Sequence, residues 1–377
     1  MFNFLTNINT EIGNGSFSNF INKIQEMKLG KTLFIIDEGF AKSEYWIEQK
    51  NKLKRYDDIY IKYFQGINEP TYDDLEKMLI EAKEINPDTI VSCGGGSCMD
   101  ISKAIAALIK NNGDALSYKG FDKLKNPGIK TVLIPTTAGT GSESSYNASF
   151  VDTINNKKMG INGKFMFATK SILDANTLIS CPKKVLLGSA VDALTHSLEG
   201  FICKNSNEYS DMLSFKAFEY IINNISKIAN IDLNSGLELL KGAHLGGIIQ
   251  MNSGSGIAAA ISYPLSVYFK VPHGIGGGIF LLGIMKFNIE NGIDKYDKLI
   301  PYIDKKNVKN SLDLLKYLQE LFDKIGVPKN LSEYGIYKKN KNKLCEIMNT
   351  QQIAFDQNPV KFSVVDNFPN FIENYLE

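Results

Sequence analysis

The chain has 377 residues, which is enough for two domains with substantial cores. Its 42 basic and 41 acidic residues leave a formal net charge of +1, so the charge balance does not indicate a nucleic acid or an anionic membrane as a partner. No run of about 18 apolar residues is present to span a bilayer, and the five cysteines form no C-x-x-C pair. We therefore expect a soluble cytoplasmic protein that binds neither nucleic acid nor membrane.

Short apolar runs alternate with helical patterns in the first half of the chain. Strands are predicted at Lys31 to Ile36, Ile59 to Phe64, Thr89 to Val91 and Lys130 to Ile134. Helical periodicity predicts helices over residues 71–85 and 99–110. Strands that alternate with helices indicate a parallel sheet covered by helices on both faces.

After about residue 180 the pattern becomes helical throughout. Helices are predicted over residues 185–203, 209–228, 236–251 and 312–325. No low-complexity linker or internal repeat interrupts the chain. The sequence thus predicts an α/β domain with a Rossmann-like parallel sheet over residues 1–180, and an all-helical domain over residues 181–377.

A glycine loop follows the third predicted strand. Gly94, Gly95 and Gly96 permit a tight turn and a close approach to a ligand, because no Cβ atom stands in the way. The loop leads through Ser97 into a helix, whose unpaired N-terminal N–H groups suit a pyrophosphate. The pattern is neither the G-x-G-x-x-G fingerprint nor a P-loop, so a plain turn is the alternative interpretation.

Asp37 lies where an early strand gives way to a turn. A carboxylate at that point can accept hydrogen bonds from the ribose hydroxyls of an adenosine, and it would repel a 2′-phosphate. The alternative is an aspartate that only shapes the turn.

A second loop, Pro135 to Glu143, is rich in hydroxyl groups and glycine and follows another predicted strand. Thr136, Thr137 and Thr140 could hydrogen-bond a phosphate or a ribose, although a simple helix cap is the alternative. Two such loops at successive strand ends should lie side by side at the carboxyl edge of the sheet, where open α/β sheets bind ligands.

Asp192 and His196 are four residues apart in a predicted helix, so both side chains share one helix face. This is a spacing typical of metal ligands, and an Asp–His pair packed inside a helix bundle is the alternative. His273 follows Pro272 at a loop or helix start, and His244 lies in an apolar helical pattern that predicts a core position.

Together these residues resemble the iron-containing (group III) alcohol dehydrogenase family. The resemblance runs nearly from end to end, with its motifs in the expected order. The motifs are Ile12 to Gly15, Asp37, Gly94 to Lys103, Pro135 to Glu143, Lys158 to Gly160, Asp192 to His196, Pro272 to Gly274, and Asn358 with Pro359. The resemblance implies a dinucleotide-binding α/β domain followed by an all-helical domain. It also implies hydride transfer between NAD(P) and an alcohol or aldehyde, with a divalent metal that polarises the oxygen.

The resemblance implies specific site residues. The metal, Fe²⁺ or Zn²⁺, would be held by Asp192, His196 and His273. NAD(H) is expected over NADP(H) because of the Asp37 carboxylate. The cofactor-binding residues would be Asp37, Gly94, Gly95, Gly96, Ser97, Asp100, Thr136, Thr137, Thr140 and Lys158.

Two positions depart from the family pattern. Related sequences usually carry an H-x-x-x-H pair before the P-H-G motif, and those positions here hold Ala259 and Tyr263. Asp192, His196 and His273 with a water or substrate oxygen would still form a legitimate catalytic metal site. Tyr263 could be a packing residue, or a proton donor if a nearby cation lowered its pKa from about 10. Tyr263 and His273 are the candidate catalytic residues.

The sequence therefore predicts an NAD(H)-dependent alcohol dehydrogenase or aldehyde reductase. Candidate substrates are small polyols, sugars and aldehydes that bear phosphate or phosphonate. Three alternatives stay open: a metal-independent reductase that uses Tyr263, an inactive dinucleotide-binding protein, and a lyase that resembles dehydroquinate synthase. We expect a small-molecule substrate and a homo-oligomer, most simply a homodimer.

Overall fold

Strands are confined to the first half of the described chain in the computed structural model, which describes residues 2–66, 69–305 and 307–377. In chain order they are β1 (Asn9–Ile12), β2 (Thr32–Asp37), β3 (Ile59–Phe64), β4 (Thr89–Gly94), β5 (Gly120–Phe121), β6 (Lys130–Pro135), β7 (Asn147–Asp152), β8 (Lys157–Asn162) and β9 (Lys170–Leu173). Six of them form one parallel sheet in the order β1-β9-β6-β4-β2-β3. The predicted parallel sheet is confirmed.

Helices cover this sheet and make up the second half of the chain. They are α1 (Ser16–Asn22), α2 (Glu44–Leu53), α3 (Tyr72–Ile85), α4 (Gly96–Leu108), α5 (Lys183–Ile202), α6 (Glu208–Ile222), α7 (Leu233–Ser253), α8 (Ile257–Phe269), α9 (His273–Glu290), α10 (Ser311–Ile325), α11 (Lys341–Met348), α12 (Gln352–Phe355) and α13 (Phe368–Phe371). Among the described residues beyond Leu173 there is no strand, so the predicted helical second half is confirmed. The helix predicted over 209–228 ends early, at Ile222, and a 3₁₀ segment follows it.

The interior strand β2, which lies between β4 and β3, shows why the sheet needs two covering layers. Its side chains alternate between the faces, and both faces are apolar. Phe34 and Ile36 belong to one buried cluster with Trp46 of α2, whereas Leu33 and Ile35 belong to another with residues of α3 and α4. Burial on both sides explains why this strand is an unbroken apolar run.

The strand order reverses direction at β2, and this fixes the position of a ligand cleft. The chain passes from β2 outward to β3 at the edge, and then returns to β4 on the other side of β2. The loops after these strands diverge at such a point and leave a crevice at the carboxyl edge. Gly94 at the end of β4 pairs in register with Pro135 at the end of β6, so the two predicted loops are neighbours.

The sequence did not predict α8, α9 or a small three-stranded sheet in the order β5-β8-β7. Helix α8 contains Pro264 and α9 is rich in glycine, so their intrinsic helix propensity is low. Packing overrides this, because the glycines of α9 allow close contact with α5. A Cβ atom at Gly274 would lie 2.1 Å from the Gly188 carbonyl oxygen, and one at Gly278 would lie 2.3 Å from Val191.

The division predicted near residue 180 falls between the end of β9 at Leu173 and the start of α5 at Lys183. Within the described ranges, none of the helices is long and apolar enough to cross a membrane. A single large cleft, described next, is lined by residues from both sides of this division.

Candidate active site

A cleft of about 1410 Å³ collects the predicted site residues. It extends from the carboxyl edge of the parallel sheet to the faces of α5, α8 and α9. The predicted residues that line it are Asp37, Gly95, Gly96, Ser97, Asp100, Thr136, Thr137, Thr140, Lys158, Asp192, His196, Tyr263 and His273. Gly94 is the exception, because it is buried beneath the cleft wall.

The glycine loop and the threonine loop form one wall of the cleft. The Thr136 N–H donates to the Gly94 carbonyl oxygen at 3.0 Å, which fastens the two loops together. A Cβ atom at Gly94 would lie 2.4 Å from Cys98, so this glycine permits packing and does not line the ligand space. Gly95 is the N-cap residue of α4 and offers no side chain to cap it, so the first-turn N–H groups of that helix are left for a ligand.

Asp37 has a structural role and also faces the cleft. Its Oδ1 atom accepts hydrogen bonds from the backbone N–H groups of Gly39, at 2.9 Å, and Phe40, at 3.2 Å. The turn therefore holds the carboxylate at the end of β2. Both interpretations of this aspartate, turn former and cleft residue, are compatible with its position.

Asp100 lines the cleft, but its carboxylate is already engaged by the protein. Oδ1 accepts from the Ser142 hydroxyl at 2.5 Å, and Oδ2 accepts from the Ser149 N–H at 2.8 Å. Buried Lys103 donates to the carbonyl oxygens of Ser142, at 2.8 Å, and Asn147. Burial lowers the pKa of Lys103, which Asp100 partly offsets. Asp100 and Lys103 thus anchor the second loop. Each Asp100 oxygen keeps a lone pair for a further hydrogen bond, so the predicted cofactor contact of this cleft-lining residue stays a prediction.

Asp192, His196 and His273 meet at the other end of the cleft, and their candidate ligand atoms all lie within 4.8 Å of one another. Asp192 Oδ1 is 3.6 Å from Nε2 of His196 and 3.7 Å from Nε2 of His273. One carboxylate and two imidazoles form a donor set that suits Fe²⁺ or Zn²⁺. The donor chemistry and spacing therefore fit a divalent metal.

The orientation of the His273 ring is set by Ser262. The Ser262 hydroxyl donates its one proton to the Ala259 carbonyl oxygen at 2.6 Å, so its 2.6 Å contact with Nδ1 of His273 must be one in which Ser262 accepts. His273 therefore carries its proton on Nδ1 and presents the lone pair of Nε2 to Asp192. Burial, reinforced by nearby Lys158, lowers the pKa of His273 to about 3, which keeps the ring neutral as a metal ligand must be.

Glu199 holds the start of α8 against α5. Its carboxylate accepts hydrogen bonds from the N–H groups of Gly256, at 3.0 Å, Ala258, at 2.6 Å, and Ala259, at 3.1 Å. Burial raises the pKa of Glu199 to about 7 in spite of these three bonds. Glu199 was not among the predicted site residues, although it lies seven residues after Asp192 and therefore on the same helix face.

Tyr263 packs flat against His273, with the ring centroids 5.0 Å apart and the ring planes at 11°. A cation is close, since Lys158 Nζ lies 5.3 Å from the Tyr263 ring centroid, but Lys158 is also paired with Glu69 at 2.8 Å. Burial raises the pKa of Tyr263 by more than Lys158 lowers it. The condition set for a tyrosine proton donor, a lowered pKa, is therefore not met.

Helix α7 carries two further polar side chains, Gln250, which lines the cleft, and His244, which does not. The sequence analysis gave no signal for Gln250, near the end of α7, whose amide Nε2 lies 3.3 Å from Nε2 of His196. His244, predicted to be a core residue, is buried away from the metal ligands. Its ring contacts Glu143 at 3.1 Å and Thr10 at 3.2 Å.

Known proteins similar to this chain belong to a family of metal-containing alcohol dehydrogenases, in agreement with the metal-binding cluster and the cofactor loops. The family model "Iron-containing alcohol dehydrogenase" matches residues 9–175, and its C-terminal counterpart matches residues 187–367. The 4-hydroxybutyrate dehydrogenase of Clostridium kluyveri is 31% identical over 325 residues, which cover 82% of this chain and 83% of that protein. The sulfoacetaldehyde reductase of Bilophila wadsworthia is 27% identical over 337 residues, 87% of each chain.

The fold also matches solved structures. A 1,3-propanediol oxidoreductase superimposes with a TM-score of 0.90 at 23% identity, over 100% of both chains. The sulfoacetaldehyde reductase of Bifidobacterium kashiwanohense, solved in complex with NAD⁺, superimposes with a TM-score of 0.88 at 19% identity, over 100% of this chain and 98% of that one.

Proposed function

The chain belongs to the iron-containing alcohol dehydrogenase family, and on that premise we propose that it interconverts a small polar alcohol and its aldehyde with NAD(H) as the hydride carrier. The observation that carries the proposal is one cleft that joins the two strand-end loops to the cluster of Asp192, His196 and His273. A cofactor on the loops and a substrate oxygen at the cluster would be held in the same cleft.

The cofactor end of the cleft supports NAD(H). The uncapped first turn of α4 offers N–H groups to the pyrophosphate, and Thr136, Thr137 and Thr140 offer hydroxyls beside it. The Asp37 carboxylate would accept the adenosine ribose hydroxyls and disfavour a 2′-phosphate. Lys158 would face the ribose or nicotinamide side.

At the other end, Asp192, His196 and His273 would hold Fe²⁺ or Zn²⁺. When bound, such a metal supplies Lewis-acid polarisation of the substrate oxygen. The residues of this chain then have defined tasks: Ser262 keeps Nε2 of His273 free of a proton, and the flat contact of Tyr263 fixes the plane of the same ring. The raised pKa of Tyr263 argues against the metal-independent alternative, and the complete three-residue cluster argues against an inactive protein.

Small polar substrates fit the lining of this end of the cleft, which includes Asn147, Asn162, Gln250 and Ser255. Three relatives support the same class, because sulfoacetaldehyde, lactaldehyde and 4-hydroxybutyrate are short molecules with a polar or charged group, whereas two others are named for long-chain alcohols and for methanol. An aldehyde or alcohol of two to four carbons with such a group is therefore the substrate class that we propose.

The test is an NADH oxidation screen over an aldehyde panel with purified protein, before and after loading with Fe²⁺ or Zn²⁺. The panel contains short aldehydes with hydroxyl, carboxylate, sulfonate, phosphate and phosphonate groups, and unsubstituted aldehydes of equal length are the controls. We expect metal-dependent turnover with NADH that prefers the polar members. No turnover with any member would overturn the proposal.

We also propose that residues 1–180 and 181–377 are separate domains, and that the protein is a cytoplasmic homodimer. All five cysteines are free, as a reducing compartment requires. Light scattering of the purified protein tests the dimer, since a monomer near 42.0 kDa would contradict it.

A further inference from the structure

The side chain of Gln250 lies beside the metal-binding cluster without an assigned task. It belongs to the last turn of α7 and lines the cleft. Among the described residues, the one hydrogen-bond contact of its amide group is the 3.3 Å contact with Nε2 of His196. That Nε2 atom of His196 also faces Asp192 Oδ1 at 3.6 Å, so the amide and the carboxylate contact the same candidate ligand atom.

The spacing of the amide is that of a neighbouring ligand in a metal site. In a tetrahedral site with metal–ligand bonds of 2.0–2.2 Å, adjacent ligand atoms lie roughly 3.3–3.6 Å apart. The three measured contacts are 3.6 Å for Asp192 to His196, 3.7 Å for Asp192 to His273 and 3.3 Å for Gln250 to His196. Gln250 thus adds a fourth polar group at about this separation from one of the three candidate ligands, His196.

The chemistry requires only a rotation of the amide. Its nitrogen cannot ligate a metal, but its oxygen can, and a half-turn about the terminal bond exchanges the two atoms. In the orientation described, the amide N–H can donate to an unprotonated Nε2 of His196. This contact and metal ligation both require the same His196 tautomer, with its proton on Nδ1. The amide would therefore favour the His196 tautomer whose Nε2 lone pair can bind a cation.

Resting on the function proposed above, we propose that Gln250 supplies its amide oxygen as a fourth protein ligand to the divalent metal held by Asp192, His196 and His273. Ala259 and Tyr263 leave the facing side of α8 without an imidazole, so the added donor comes from α7 instead. A neutral amide is the weakest of the four donors. Together the four side chains would hold the metal, which would supply Lewis-acid polarisation of the substrate oxygen.

The experiment measures metal binding and needs no substrate. Zn²⁺ affinity is measured by calorimetry, and the visible absorption of bound Co²⁺ reports the number of ligands, for the wild type and for Gln250→Ala and Gln250→Glu. Asn252→Ala is the matched control, because it removes another cleft-lining amide of α7 whose contacts are with Leu5 and Ile248. Asp192→Ala tests the underlying metal site, and NADH titration confirms that each variant is folded.

We expect the wild type to bind one metal per chain. Gln250→Ala should lose tenfold or more in metal affinity and show a changed Co²⁺ spectrum. Gln250→Glu should recover the affinity, and Asn252→Ala should match the wild type in both measurements. Wild-type affinity and spectrum in Gln250→Ala would overturn the ligand assignment while leaving the metal site intact. If the wild type binds no metal, or if Asp192→Ala binds metal as tightly as the wild type, both this inference and the metal part of the proposed function are overturned.

Discussion

Ser262 and His273 are joined by a 2.6 Å hydrogen bond in which the serine oxygen accepts the Nδ1 proton. Because the serine proton is already donated to the Ala259 carbonyl, the bond fixes the tautomer of the imidazole as well as its orientation. Hydrogen bonds of this kind to a metal-binding histidine commonly raise metal affinity and also hold the ring in its orientation.

Removing that serine should weaken the metal site without dismantling it. We expect Ser262→Ala to lower metal affinity by about 10- to 100-fold, since the Nδ1 proton loses its acceptor. Ser266→Ala is the matched control, because Ser266 lies one turn later in α8, lines the cleft and bonds only within its own helix. Calorimetric titration with Zn²⁺ measures both. Equal affinities in the two variants would show that Ser262 does not orient the ligand.

Replacing Asp37 with Gly or Ser should relax the preference for NADH. The carboxylate no longer repels a 2′-phosphate, so the affinity for NADPH should rise relative to that for NADH. Fluorescence titration with both cofactors measures the ratio. Glu38→Gln, which removes the next carboxylate of the cleft lining, should leave the ratio unchanged. If wild-type protein already binds NADPH as tightly as NADH, the role given to Asp37 is wrong.

Gly95→Val should abolish cofactor binding and leave the fold intact. A Cβ atom at Gly95 would lie 3.5 Å from Thr137, which is an ordinary van der Waals contact, so the fold can accept it. The valine side chain would instead occupy the space that the cofactor needs. Gly13→Val is the control, because a Cβ atom there meets nothing within 4 Å. Thermal unfolding and NADH titration separate the two effects. Normal NADH binding by Gly95→Val would remove this loop from the cofactor site.

Chelation and two substitutions should distinguish the metal and tyrosine mechanisms. We expect a chelator to abolish turnover and re-metallation to restore it. His196→Ala should lose at least 100-fold in kcat/KM, because one ligand is gone. Tyr263→Phe should lose less than about tenfold, because its raised pKa makes the phenol a poor proton donor. Full activity of His196→Ala in chelator, together with an inactive Tyr263→Phe, would establish Tyr263 as the proton donor.

In the metal-free protein, the stabilising contribution of Glu199 should fall as the pH rises from about 4.5 to above 7, while the contribution of His273, whose pKa is lowered to about 3, should rise over part of the same range. The pKa of Glu199 is raised to about 7 in the fold, from 4.5, so folding favours the protonated acid. Its stabilising contribution is complete below pH 4.5 and is lost as the pH rises through 7, on the order of 3 kcal/mol in total. Urea unfolding in chelator at pH 5 and pH 8 measures the change. The opposite contribution of His273 is common to all variants, so Glu199 is isolated by comparison: between pH 5 and pH 8 the wild type should lose on the order of 3 kcal/mol relative to Glu199→Gln. Relative to Glu208→Gln, which alters an exposed carboxylate, it should show no such change.

The sequence by itself determined four of the six strands of the parallel sheet, namely β2, β3, β4 and β6, and the groups that carry chemistry; β1 and β9 were not predicted. Buried parallel strands must be apolar on both faces, so runs such as Lys31 to Ile36 could be recognised without a partner strand. The loops after β4 and β6 follow from their glycines and hydroxyls. The i, i+4 spacing of Asp192 and His196 places two ligands on one face by helix geometry alone.

Tertiary structure decided the rest, because the remaining contacts join residues far apart in the chain. Helices α8 and α9 have low intrinsic propensity and form because glycines such as Gly274 and Gly278 let α9 pack closely against α5. That packing brings His273 to Asp192. Separate long-range contacts of α4 with Ser142 and Ser149 make Asp100 an internal anchor for the second loop. No local pattern marks Gln250 as a neighbour of His196, since only the crossing of α7 and α5 places the amide within 3.3 Å of the imidazole.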